Sequence, residues 1–216
     1  MIFQAFRRPI FSARLGVRGL GMTTLAGFQG NGFAIIGADS RATDDSGSMF
    51  VLSNPKVMWD DQRDYIFAIT GATRGGNLIQ QGWIPPQPPE YVDLNKLDQF
   101  MTQVFIPQLR DHFIDSGFDA KWEGESAWND SAFLVAVQGV IYPVHNDYGW
   151  DRDRRGVYVF GSGGDITLGS MLAQGIKECA DDPKRAKQII KKAIEHACEY
   201  NAYCSPPVVI EIQHFD

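Results

Sequence analysis

A chain of 216 residues with 44% apolar content is long enough for one domain with a substantial core, and its net charge of −6 argues against nucleic acid as a partner. No apolar run reaches the length of a membrane span. The three cysteines, Cys179, Cys198 and Cys204, suggest neither a disulfide framework nor a zinc site, which points to a reducing, cytoplasmic setting.

Residues 1–22 differ from the rest: Arg7, Arg8, Arg14 and Arg18 are present, and the first acidic residue of the chain is Asp39. The segment reads as an autocleaved propeptide, an organelle presequence or an upstream extension from a misplaced start. The folded domain is expected over 23–216. Residues 23–28 read as a strand, Gln29-Gly-Asn-Gly32 as a turn and Phe33-Ala-Ile-Ile-Gly-Ala38 as an apolar return strand. Asp39 ends that hairpin, and the polar loop 44–55 is long enough to bring Lys56 back onto it. Residues 57–59 and 65–70 read as two strands completing the same sheet.

Gly71-Ala-Thr-Arg-Gly-Gly then opens a helical stretch that the proline run at 85–89 must stop. Leu94, Leu97, Met101, Val104, Phe105, Leu109 and Phe113 fall at helical spacing, predicting a long helix over 92–115 kinked at Pro107. A polar loop with Trp122 and Trp128 follows. Residues 132–137, 140–144 and 156–160 read as three strands of a second sheet, with the charged insert 145–155 as an exposed hairpin tip. Asp165 is placed to cap a helix running to about residue 178, and Asp182-Pro183 to open another, whose apolar face is Ala186, Ile189, Ile190, Ala193 and Ala197. A strand from Pro207 closes the chain. Periodicity therefore predicts one mixed α and β domain without internal repeats.

The stretch Met22-Thr23-Thr24 carries the chemistry of interest. A threonine hydroxyl is a poor nucleophile until a base takes its proton. A free α-amino group, with a pKa of about 7.7–8.0, can be that base when threonine is the first residue. Thr23 would thus be inert within the full chain and reactive once residues 1–22 are gone. Asp39 would orient a cation and Lys56 would supply one. Taken alone, Asp39 and Arg41 also fit a surface ion pair, and Lys56 a solvated loop residue.

In order, the chain carries Thr23-Thr24, Gly37-Ala-Asp39-Ser-Arg41-Ala-Thr43, Lys56, Ile69-Thr-Gly71-Ala and Gly161-Ser162-Gly163-Gly164. This series resembles the proteasome β-type subunits and the bacterial HslV-type peptidases, which are N-terminal-nucleophile hydrolases. The resemblance covers most of the chain from Thr23 onward. It implies an α+β four-layer αββα sandwich of two antiparallel sheets and a threonine endopeptidase that needs no cofactor or metal. By resemblance, Thr23 is the nucleophile, Asp39 and Lys56 set charge and orientation, the Gly71 amide holds the oxyanion, and Ser162 relays a proton. Arg41, Asn201 and Cys204 support the site, while Thr43, Ala42, Asn54, Ile69 and Thr73 face substrate, with a small-to-medium apolar preference. It further implies peptide or protein substrates, a homo-oligomeric ring and an AAA+ ATPase that feeds it.

Two departures bear on that expectation. Where the proteasome pattern has aspartate, a small residue, often tyrosine, then serine, this chain has Asn201-Ala202-Tyr203-Cys204; the HslV type also lacks the aspartate. Met22 stands where self-cleaving members commonly have glycine. Gly71 is also explained as a strand-to-helix turn, and Ser162 as a turn serine. The four histidines, His112, His145, His196 and His214, show no metal or triad spacing. A catalytically silent ring subunit and a non-proteolytic amidase of the same superfamily are the competing readings.

Overall fold

The apolar run at residues 33–38 is continuous because both of its faces are covered, as the computed structural model of the chain shows. The structure describes residues 22–44, 46–90, 93–119 and 129–215; the basic segment up to residue 21, Trp122 and Trp128 lie outside them. Strands β1 (Leu25–Gln29) and β2 (Phe33–Ala38) form the expected hairpin, whose turn contains Gly32 at a φ of +73°. On β2, Phe33 and Ile35 face one apolar layer, whereas Ala34, Ile36 and Ala38 face another. This is the two-residue alternation of a strand buried on both sides.

The expected loop 44–55 contains structure of its own. Strand β3 (Arg41–Thr43) pairs with β4 (Met49–Val51), and Met49, Phe50 and Val51 are all exposed. Strands β5 (Val57–Trp59) and β6 (Tyr65–Gly71) do not complete the first sheet. They pair onward with β7 (Ser131–Val137) and β8 (Val140–Val144), while β9 (Val157–Phe160) crosses back to β1. The sheet orders are β10-β2-β1-β9 and β5-β6-β7-β8, all antiparallel, with β10 at Val209–His214. Alternation fixes which face a side chain takes, not which strand lies beside it, so the partition between sheets was misread from sequence.

The insert 145–155 is accordingly a crossing between sheets and not a free hairpin tip. Trp150 bridges to Val144, Tyr148 is buried with its hydroxyl donating to Asp119, and Arg152 pairs with Asp98 at 2.6 Å. Of its charges, Arg152 reaches out to Asp98, while Arg155 and Asp153 pair with each other within the insert.

Helices cover both outer faces. On the β5–β8 sheet lie α1 (Thr73–Gly82), α2 (Leu94–Phe100) and α3 (Ile106–Asp115), with Leu97, Met101, Phe105, Leu109 and Phe113 packed against Tyr65, Phe67, Phe133 and Val135. The kink expected at Pro107 is a π turn, Met101–Phe105, joining α2 to α3. Proline lacks an N–H and crowds the carbonyl four residues back, and the wider turn relieves both. On the other sheet lie α4 (Gly164–Ala173) and α5 (Pro183–Tyr200). Asp182 caps α5 by accepting from Arg185 N at 2.9 Å, as expected. Asp165 instead sits inside the first turn of α4, which ends at Ala173 before Gly175 turns left-handed (φ +77°) and a short 3₁₀ turn, Ile176–Cys179, follows.

Between the sheets, Leu25, Ile36 and Ala38 meet Ile66, Ala68, Leu134 and Ile141. Three apolar layers therefore separate helices, sheet, sheet and helices, the expected αββα order. The start of β1, the end of β2 and the segment entering β5 meet at one edge of the middle layer.

Candidate active site

At that edge three polar side chains are buried together: Thr23 is 2% exposed, Asp39 1% and Lys56 7%. Burying a charge is costly unless it is paired and hydrogen-bonded, and here the pairing is dense. Asp39 Oδ1 accepts from the Thr23 hydroxyl, from Thr24 N at 3.0 Å and from Lys56 Nζ at 2.8 Å. Oδ2 accepts from Arg41 N at 2.9 Å and Ser205 N at 3.1 Å. Lys56 Nζ also donates to the Thr23 hydroxyl. Burial pulls the Lys56 ammonium below the ordinary lysine range, and the Asp39 charge opposes that pull.

The fold supplies this geometry by ordinary means. The β1–β2 hairpin sets Thr24 opposite Asp39, with Asp39 N donating to Thr24 O at 3.3 Å, and Ile69 N holds the Lys56 carbonyl at 3.2 Å. Behind Thr23, the loop before α4 closes against its backbone: Gly163 N donates to Thr23 O at 3.0 Å. A Cβ at Gly161 would fall 2.3 Å from that same oxygen, so this position requires glycine.

Thr23 opens onto a cavity of about 260 Å³ lined by Met22, Arg41, Ala42, Thr43, Asn54, Lys56, Ile69, Gly71 and Thr73 among others. All five residues expected to face substrate are in its wall. Gly71 has a φ of +102°, and a Cβ there would stand 2.2 Å from Asp130 O, so its strand-to-helix role is structural whatever else it does. Ser162 and Asn201 lie behind Thr23, outside the cavity wall. Asn201 Nδ2 donates to Ser162 O at 2.8 Å and braces the glycine loop. The Ser162 hydroxyl is buried and has no hydrogen-bond partner among the described residues.

No family model matches the chain, and no curated protein matches its sequence. Solved structures do match. Thiobacillus denitrificans BPH superposes with a TM-score of 0.64 at 17% identity, over 90% of this chain and 99% of that one, and its complex with epoxomicin gives 0.64 at 17%, over 90% and 100%. Eukaryotic HslV from Trypanosoma brucei gives 0.59 at 14%, over 89% of this chain and 99% of its own. The fold is that of the proteasome β-type and HslV-like peptidases.

Within this proteasome-like fold, the surface ion pair considered for Asp39 and Arg41 does not form. Asp39 is internal, and the Arg41 guanidinium reaches the Ala202 carbonyl and Met49 Sδ instead, tying β3 to the end of α5. Cys204 lies behind the site against Gly163, where a Cβ would come within 2.6 Å of Sγ. Its thiol is pushed up to about 12, by burial first and then by the Asp39 charge, and Cys198 to about 11. Neither carries thiolate at neutral pH, so neither competes as a nucleophile.

Sequence reasoning missed Ser205, whose contribution is a backbone N–H without a side-chain signature. It also missed Gly76, Asn77 and Gln80 of the cavity wall. These fall with Thr73 at three- and four-residue spacing on α1, and that one-faced pattern was the available signal.

Proposed function

We propose that the chain is a threonine-type endopeptidase in which Thr23, freed of residues 1–22, is the nucleophile. The observation that carries this reading is the Thr23 hydroxyl held between Lys56 and Asp39 at the wall of a cavity that also contains Gly71. Thr23 Oγ1 attacks a peptide carbonyl carbon, and its proton passes to the Thr23 α-amine, directly or through water and Ser162. The Gly71 N–H holds the oxyanion, a type of contact worth about 2.7–4 kcal/mol in the transition state. The protonated amine then gives its proton to the departing peptide amine. Water hydrolyses the resulting Thr23 ester and restores the free hydroxyl. Lys56, fixed by Asp39, lowers the cost of deprotonating both groups.

The bond between Met22 and Thr23 must break first, which makes the full chain a zymogen and residues 1–22 its propeptide. The fold likeness and the exposed Met49-Phe50-Val51 strand support a homo-oligomeric ring. In this reading an AAA+ unfoldase supplies protein substrates in the cytoplasm. Light scattering should give a mass many times 24.1 kDa.

The decisive experiment is the intact mass of protein expressed from Met1, before and after treatment with epoxomicin, the molecule complexed with Thiobacillus denitrificans BPH. A mass beginning at Thr23, with an adduct that Thr23→Ala abolishes, is expected. Met22 retained on an unreactive chain would favour the silent subunit, because a peptide nitrogen cannot act as the base. That competing reading draws on Met22, which lines the cavity beside Thr23.

A further inference from the structure

Thr24 is the half of the Thr-Thr pair that the proposed reaction does not use, yet it is fully buried, as is Thr167 of α4. Their hydroxyl oxygens lie 2.8 Å apart. The Thr167 hydroxyl also donates to the Gly163 carbonyl, four residues back, at 3.0 Å. A hydroxyl has one proton and a carbonyl oxygen can only accept, so the proton between the two threonines comes from Thr24. A helical threonine commonly gives its proton to the carbonyl four residues back. A second buried hydroxyl that donates into it from the start of another element is not part of that habit. The series runs from Thr24 through Thr167 to Gly163, and Gly163 N returns to Thr23 O at 3.0 Å. Gly163 stands so close that a Cβ on it would fall 2.9 Å from Thr24 Cβ.

We propose that Thr24 and Thr167 are positioning residues for the Thr23 nucleophile. The inference rests on the hydrolase reading and adds the means by which the released N-terminus is held. Once residues 1–22 are gone, Thr23 is a chain end with one peptide bond, and chain ends are poorly ordered unless tied down. Its hydroxyl is held by Asp39 and Lys56. Its backbone depends on the Gly163 N–H and on Thr24 N, which donates to Asp39 at 3.0 Å. The loop that carries Gly163 has glycine at 161, 163 and 164, the residue with the most backbone freedom to lose. Apolar contact could fill the space around Thr24, and valine would do so with the same shape, but such contact is non-directional. Two hydroxyls in series hold the start of β1 and the first turn of α4 in one relative setting, and with it the angle between Thr23 Oγ1 and the new amine.

The test compares the chain expressed from Met1 with Thr24→Val, Thr167→Val, the two together, and Thr167→Ser. Hydrolysis of one fluorogenic peptide is read per molecule whose intact mass begins at Thr23. Each valine variant should lower kcat about 10- to 100-fold, as a slight misplacement of a reacting group does, with KM within about twofold. Thr167→Ser, which keeps the hydroxyl, should restore kcat. The double variant separates positioning from fastening. Thr167→Val strands the buried Thr24 hydroxyl and adding Thr24→Val removes it, so urea unfolding should find the pair at least as stable as Thr167→Val, while kcat stays low. If Thr167→Val retains residues 1–22 and Thr167→Ser loses them, the hydroxyl positions Thr23 already for its release, which also supports the role. A kcat that returns with stability in the double variant, or stays close to the parent's in the single ones, would make the pair a fastening only and leave the peptidase standing. A raised KM at unchanged kcat would do the same. No turnover by the parent chain would overturn the hydrolase reading and this role together.

Discussion

Among the described residues two aspartates are buried, and they are buried to different ends. Asp39, 1% exposed, collects five donors, one of them a lysine and one a threonine hydroxyl, at the wall of an open cavity. Asp119, 3% exposed, receives Arg110 Nε at 3.3 Å and the Tyr148 hydroxyl at 3.0 Å on one oxygen, while its other oxygen has no partner among the described residues. Asp119 fastens the crossing between sheets to the end of α3, and the contacts around it supply no nucleophile. Burial of a carboxylate therefore does not make a site. What separates the two is a threonine hydroxyl between the carboxylate and its cation, with an open cavity beside it.

The sharpest way to break that comparison is to remove the Thr23 hydroxyl. Thr23→Ala should reduce peptide hydrolysis by about 10³-fold or more, with the thermal midpoint moved little, because the methyl side chain keeps the burial. Residual activity near the parent level would put the chemistry elsewhere. Next in size is Asp39→Asn, which leaves Lys56 buried with its charge unanswered and should cost about 3–5 kcal/mol of stability as well as activity. Urea unfolding measures the first part. A small loss there would mean that Lys56 is already neutral beside Asp39.

A smaller effect concerns the thiol behind the site. Cys204 titrates near 9 in the unfolded chain and near 12 in the fold, so above pH 9 the unfolded chain releases its proton first. Stability must fall as the pH rises through 9 towards 12. Lys56 acts in the opposite sense, since its folded pKa lies below 10.5 and the unfolded chain holds that proton longer. Both proteins contain Lys56, so comparing the parent chain with Cys204→Ala isolates the thiol. Between pH 8 and 10.5 the parent should lose about 1–2 kcal/mol relative to the variant. Parallel curves would mean that Cys204 is not shielded.

How much of this was legible depends on whether the cause is local. The hairpin holding Asp39, the Asp182-Pro183 start of α5 and the break at Pro107 are dictated by neighbours in the chain, and the structure has all three. The pairing of β5 and β6 with β7, and the return of β9 to β1, depend on strands up to some 130 residues apart, about which a two-residue alternation says nothing. The candidate site divides in the same way. Thr23, Asp39, Lys56 and Gly71 stand out by residue type and order. The Ser205 N–H, the brace from Asn201 to the Ser162 carbonyl and the unpaired hydroxyl of Thr70 are consequences of folding. Neither Asn201 nor Ser205 replaces the aspartate of the proteasome pattern; they hold backbone where a charge was expected.

The least of the expected effects returns to Asp119. Tyr148 has a positive φ of 65°, sits 6% exposed and gives its hydroxyl to a carboxylate that it shares with Arg110. Burial, with the Asp119 charge, raises its phenol far above the ordinary tyrosine range, so the hydroxyl keeps its proton at neutral pH. Tyr148→Phe removes one hydrogen bond to a charged acceptor, leaves the ring packed against Phe113, and should cost about 1–2 kcal/mol. Peptide hydrolysis at 25 °C should not change. If instead kcat falls while the unfolding free energy is unaltered, Asp119 is coupled to the Thr23 cavity, and its division from Asp39 into fastener and site is wrong.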